Sequence, residues 1–180
     1  MKTILFNIIV AFCLFSVDGS LHNFSVPVME GGNQSLSAYS GKKVMIITLP
    51  LVQTSFSDSV LYSLDTLAAA RAHELKVIGV PSIEDGYTSA QKTELMQWYR
   101  SKLDTGILIT DGLYTHKSSG SQQHPLFNWL THNTGNGVFN VEADSPGFKY
   151  ICNSTGTLYG VLNPQTKMHG SLVQKTLKMQ

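Results

Sequence analysis

The stretch from Lys43 to Pro81 limits the architectures open to this chain more than any other. Val44-Met45-Ile46-Ile47-Thr48-Leu49 is an unbroken apolar run. It is too short to cross a membrane and too continuous for a half-exposed strand, so it predicts a strand buried on both faces. Pro50 ends it, and the polar turn Gln53-Thr54-Ser55-Phe56-Ser57 follows. Val60, Leu61, Leu64, Leu67 and Ala68 then recur at helical spacing, with Ser57 placed to cap the helix. Val77-Ile78-Gly79-Val80 is a second buried strand, stopped by Pro81. Strand, helix and strand at this spacing predict a right-handed βαβ crossover. Ligands and chemistry gather at the carboxyl ends of such strands, here Leu49–Phe56 and Pro81–Gly86.

The first nineteen residues differ from the rest. A short positive start, Met1-Lys2-Thr3, precedes an apolar core from Ile4 to Val17, and small residues lead to an expected cut before Ser20. This is the pattern of a secretory signal peptide over 1–19, with one mature domain over 20–180. The apolar core falls short of the ~20 residues a span needs, and no later segment is longer, so an exported chain without a transmembrane segment is expected. Three Asn-x-Ser/Thr triplets begin at Asn23, Asn33 and Asn153, which predicts a glycoprotein. Of the two cysteines, Cys13 would leave with the signal, and Cys152 alone cannot form an intramolecular disulfide. The core must then carry the fold, and 180 residues suffice for one domain. A net charge of +1 with scattered lysines gives no reason to expect nucleic acid as a partner.

In chain order, Asn23–Val28 and Ser35–Ser37 flank a Gly-Gly turn and predict an N-terminal β-hairpin. Past the crossover, Thr88-Ser89-Ala90-Gln91 is a capping box before a helix carrying Leu95, Trp98 and Tyr99. Gly106–Thr110 is expected to be extended, and Asp111–Gln123 reads as a loop. His124–Leu130 suits a helix with proline in its first turn. Gly137–Val141 is expected to be a strand, and Phe148–Cys152 and Leu158–Leu162 a second hairpin about Gly156. Leu172, Val173, Thr176 and Leu177 mark a last helix. The fold class is α/β, a central mixed sheet flanked by helices.

Several ordered motifs resemble the glutathione peroxidase family. They are His22-Asn23-Phe24-Ser25, Val77-Ile78-Gly79-Val80-Pro81 (the family's ILGFP) and His124-Pro125-Leu126-Phe127-Asn128-Trp129-Leu130 (its HPLYxWL). Phe139-Asn140-Val141 stands for WNF, Phe148–Ile151 with Gly156 for KFLxxxxG, and Asn163–Thr166 for P-x-T. The resemblance implies an elaborated thioredoxin-like fold and peroxide-reducing oxidoreductase chemistry in oxidative stress. It also implies a catalytic set that this chain has mostly replaced. The reactive cysteine or selenocysteine falls within Gln53–Ser55, best at Ser55. The family's glutamine falls at Glu84 and its tryptophan at Phe139, and only Asn140 is retained. A serine hydroxyl does not reduce peroxides; thiolates do. No resolving cysteine lies near Leu95–Arg100. The resemblance implies no bound cofactor, with glutathione as co-substrate only if activity survives. The short segment between Trp98 and Pro125 favours a monomer.

Other residues carry blander readings. Glu84 and Asp85 form a solvated turn before they form a cation site. Cys152 is a small buried hydrophobe before it is a redox thiol. His116, His124 and His132 lack ligand spacing, so no metal is expected. Trp98, Phe127 and Trp129 read as core. Two functions compete: an exported, catalytically degenerate relative acting by binding or structure, and a working oxidoreductase using Cys152 or another route.

Overall fold

The computed structural model describes residues 19–179, so nearly all of the expected signal peptide lies outside the described residues. A five-stranded mixed sheet has the order β5-β4-β3-β6-β7. Its centre is β3 (Lys43–Thr48), joined through α1 (Ser55–Ala70) to β4 (Leu75–Val80). These two strands are parallel neighbours, with Met45 opposite Val77 and Thr48 opposite Val80. The predicted crossover is therefore present. Parallel β5 (Leu108–Ile109) extends the sheet beyond β4. The antiparallel hairpin β6 (Lys149–Cys152) and β7 (Leu158–Leu162) closes its other side. A separate hairpin, β1 (Ser25–Pro27) with β2 (Asn33–Ser35), supplies the expected N-terminal element, its second arm lying earlier than the expected Ser35–Ser37 because Leu36–Tyr39 forms a 3-10 turn.

Side chains alternate across a strand, and β3 uses both directions for core. Met45 and Ile47 join one apolar cluster with Leu61, Leu64 and Leu67 of α1. The same cluster takes Leu95, Trp98 and Tyr99 of α2 (Lys92–Arg100), and Val173 and Leu177 of α5 (Ser171–Lys178). Val44 and Ile46 join the opposite cluster with Leu126, Phe127 and Leu130 of α3 (Pro125–Thr131). Each fully buried aliphatic side chain contributes about 1.5–3 kcal/mol, so the two layers hold the sheet without a disulfide. Gly79 lets this packing close: a Cβ there would sit 2.6 Å from Leu49 Cδ1. Gly156 has φ +84° in the β6–β7 turn, a backbone that favours glycine, and its carbonyl accepts from Leu21 N at 2.9 Å.

Two local expectations change. The cap of α1 is Thr54, whose side chain accepts from Ser57 N at 3.0 Å, so Ser57 is the capped donor rather than the cap. Ser57 Oγ turns to Thr54 Oγ1 at 2.9 Å and is buried. The strand expected over Gly137–Val141 is absent. A short helix, α4 (Asn133–Asn136), ends at left-handed Gly137 and irregular backbone follows. Asn136 explains it. Its buried amide donates to the carbonyls of Trp129, Leu130 and Phe139 and accepts from Val138 N and Phe139 N. Those backbone groups are satisfied by a side chain, so no ladder forms. The Asp111–Gln123 segment also contains a 3-10 turn over Lys117–Gln122.

Candidate functional site

The carboxyl end of β3 is pinned before α1 begins. Tyr99 Oη donates to Pro50 O at 2.8 Å. Buried Thr48 uses its hydroxyl twice, donating to Ser145 O at 3.0 Å and accepting from Phe148 N at 3.0 Å. Gly147 N reaches Thr48 O at 2.8 Å. The residues seated beside this strand end are therefore Ser145–Phe148. Ser55 is the first residue of α1 and is exposed. Helix N-termini favour negative charge, but the hydroxyl there is neutral at ordinary pH and carries no atom that peroxide oxidises.

Glu84 sits at the other strand end, after β4, and its carboxylate is fully engaged. It accepts from Ser82 Oγ at 3.0 Å, Thr115 N at 2.9 Å and His116 N at 3.0 Å, and also from Ser119 Oγ. Burial works to raise its pKa, but the hydrogen bonds from Ser119, Thr115 and His116 outweigh burial and lower it. Glu84 is thus an ionised staple on the Thr115–Ser119 backbone, and the solvated turn expected for Glu84-Asp85 is not what forms. Asp85 faces His116, Oδ1 to Nε2 at 3.5 Å. Burial raises the Asp85 pKa; the His116 charge opposes that and the Glu84 charge adds to it.

Phe139 is half-buried against the α3-side cluster. Exposed Asn140 accepts from Lys117 Nζ at 2.7 Å, while Lys117 N donates to Glu142 Oε1 at 2.9 Å. Glu84 and Asn140 therefore grip the same loop from two sides. Among the described residues no hydrogen bond or ion pair joins Ser55 to Glu84, Phe139 or Asn140. Asn140 is engaged through Oδ1 by Lys117 and keeps its amide N–H donors, while Glu84, an ionised carboxylate held by four donors, has none to offer a reacting oxygen.

Cys152 is fully buried in β6, paired opposite Val44. Burial pushes its thiol far above the ordinary range, which suppresses the nucleophilic thiolate. The folded chain over residues 20–180 is expected to leave a thiol-specific disulfide reagent unreacted for hours and to react at Cys152 after denaturant is added. Rapid labelling of the native chain would contradict this placement.

Sequence reasoning missed a second feature on the α1 side. A groove of about 740 Å³ opens between the first turns of α1, Pro146–Lys149 and the β7–α5 connection. Lys149 lines it, although only 2% of that residue is exposed. Its Nζ donates to Gly147 O at 2.8 Å and Asn163 O at 3.2 Å. The signal was a lysine inside the otherwise apolar run Phe148–Cys152.

The architecture is thioredoxin-like, and comparisons with solved structures agree. Trgpx in its apo form matches with a TM-score of 0.66 at 18% identity, over 89% of this chain and 94% of that one. A T. cruzi glutathione peroxidase matches at 0.63 and 17%, over 88% and 94%. The Xanthomonas campestris bacterioferritin comigratory protein, studied for alkyl peroxide reduction, matches at 0.55 and 12%, over 88% and 92%. At these identities the likeness is one of fold, and the fold is that of peroxidase and thioredoxin-like oxidoreductases. No protein-family profile and no curated protein sequence matches this chain. No helix among the described residues is long and apolar enough to cross a membrane.

Proposed function

We propose that this chain is an exported, monomeric protein of the glutathione peroxidase type that no longer turns over peroxide and acts by binding. One observation carries the reading: the β3–α1 junction, where such chemistry would sit, contains no sulfur or selenium from Leu49 to Ser57. A peroxidatic cycle needs an atom that takes oxygen from peroxide and is then reduced, with donors aimed at the developing charge. Ser55 does not supply the first. Glu84, a carboxylate turned into its own loop, does not supply the second. Glutathione has no role as co-substrate in this reading, and no cofactor is required.

A gain-of-function variant tests it. Ser55→Cys places a thiol at the exposed start of a helix, a position that lowers thiol pKa, but without an arranged set of donors. Its reaction with hydrogen peroxide is expected to stay within about tenfold of free cysteine at the same thiolate fraction, because one missing catalytic donor alone costs on the order of 10²-fold. An acceleration of a thousandfold would mean that a working site persists around Ser55.

Export follows from the amino-terminal segment. Mass spectrometry of protein from culture medium is expected to find a mature start near Ser20 and glycan on Asn23 or Asn33, both exposed. Asn153 is expected to be less occupied. It is half-buried, and its Oδ1 accepts from Thr155 N, Thr155 Oγ1 and Thr157 N. Recovery only from cytosol with Met1 intact would contradict export.

A further inference from the structure

The groove beside α1 is within the size range of sites that enclose most of a drug-sized ligand. Pro50, Phe56, Val60, Pro164 and Met168 give it mainly apolar walls. Phe56 keeps 78% of its surface exposed there. Lys149 is the buried charged side chain of this lining. Its charge is buried, and the two carbonyls that accept its hydrogen bonds orient the ammonium without neutralising it. None of the ion pairs among the described residues includes Lys149. Among the described residues, the other titratable side chains lining the groove are Lys167 and His169, and no carboxylate lines it.

A buried cation with no counter-charge is costly. An ammonium carries three N–H donors, and two of them are used here. An anion that enters the groove would accept the third and balance the charge. The apolar walls would hold whatever that anion is attached to. One buried, fixed cation among mainly apolar walls, with Lys167 exposed to solvent, matches a singly charged head on a hydrocarbon body better than it matches a polyanion.

We infer that the groove binds a small free amphipathic carboxylate, its head at Lys149 Nζ and its hydrocarbon chain against Phe56, Val60 and Met168. This names the ligand class for the binding role proposed above and rests on that reading. Burial brings the Lys149 pKa down to about 8, so the group is still mostly charged at neutral pH and available to the head.

The test uses dansyl-labelled undecanoate and its methyl ester, titrated by fluorescence into the mature exported chain. The carboxylate is expected to bind saturably and the ester at least about tenfold more weakly, as loss of a charge-assisted hydrogen bond predicts. Unlabelled decanoate should displace the probe and acetate should not. Lys149→Met is expected to bring carboxylate binding down to the level of the ester and leave the ester unchanged. Phe56→Ala, at an exposed position, should weaken both. Equal binding of carboxylate and ester by the unmodified chain would overturn the inference, and so would the absence of saturable binding. That comparison needs no variant to fold. Peroxide consumption by the same preparation separates the two readings: a chain inert to peroxide that also ignores the probe removes this inference alone.

Discussion

Glutamine in place of Glu84 is expected to lower the melting temperature by about 6–12 °C. The carboxylate accepts from two backbone N–H groups and two hydroxyls. An amide supplies one oxygen and turns an NH₂ group toward donors, which leaves part of the set unsatisfied. Stranding buried donors of this kind costs about 1–3 kcal/mol each. A net loss of about 3 kcal/mol, at about 2–4 °C per kcal/mol for a domain of this size, gives the stated shift. The pH dependence has a definite sign. The folded-state pKa of Glu84 is lowered, so its contribution is present above the ordinary carboxylate range and is lost as pH falls through the folded value. Thermal melts of the parent and Glu84→Gln from neutral to acid pH should therefore converge. Ser119→Ala, which removes one donor, should show a smaller part of the same loss. A Glu84→Gln protein as stable as the parent at neutral pH would mean that the loop is held by other contacts.

Lys149 predicts a rise of the same sign at alkaline pH. Burial lowers its pKa from near 10.5 to about 8. The folded protein therefore holds fewer protons than the unfolded chain between those values, and stability from this group rises with pH across that window. Two pH units correspond to on the order of 2–3 kcal/mol. Cys152 works against it, because burial raises its pKa and the unfolded thiol ionises near 9.0. Tyr87 and Tyr159, both pushed up to about 12 by burial, add a further loss above 10.0. Lys76, lowered by burial, adds to the gain. Subtracting the Lys149→Met curve from the parent curve removes these shared contributions. The difference in unfolding free energy is expected to move in the parent's favour by about 2 kcal/mol between pH 8 and pH 10. A flat difference would mean that Lys149 is solvated in the folded protein.

Much of the scaffold was legible because it rests on short-range pattern. The continuous runs at Val44–Leu49 and Val77–Val80 allow few environments other than a sheet covered on both faces. Pro125 and Gly156 mark a helix start and a turn through their own backbone restrictions. The misread pieces depend on side chains meeting backbone at a distance. Val138-Phe139-Asn140-Val141 is rich in β-branched and aromatic residues like a strand, yet the amide of Asn136 holds the local backbone in another shape. Thr54 and Ser57 are both hydroxyl residues one turn apart, and composition cannot say which of them donates. Glu84 was placed by a motif, but its partners at Thr115, His116 and Ser119 come from a loop about thirty residues further on and have no local signature. Lys149 was visible as a letter and silent as a site, because the connection across from it is brought near only by the β6–β7 hairpin and α5.

The central claim is that this fold persists here without peroxidatic chemistry. It is tested most directly by steady-state peroxide consumption. The chain over residues 20–180 would be assayed with hydrogen peroxide and an alkyl hydroperoxide, with glutathione and then a thioredoxin system as reductant. The account predicts a rate equal to that of buffer and reductant alone, unchanged by Cys152→Ala. Turnover above that background that scales with protein concentration and survives Cys152→Ala would contradict it.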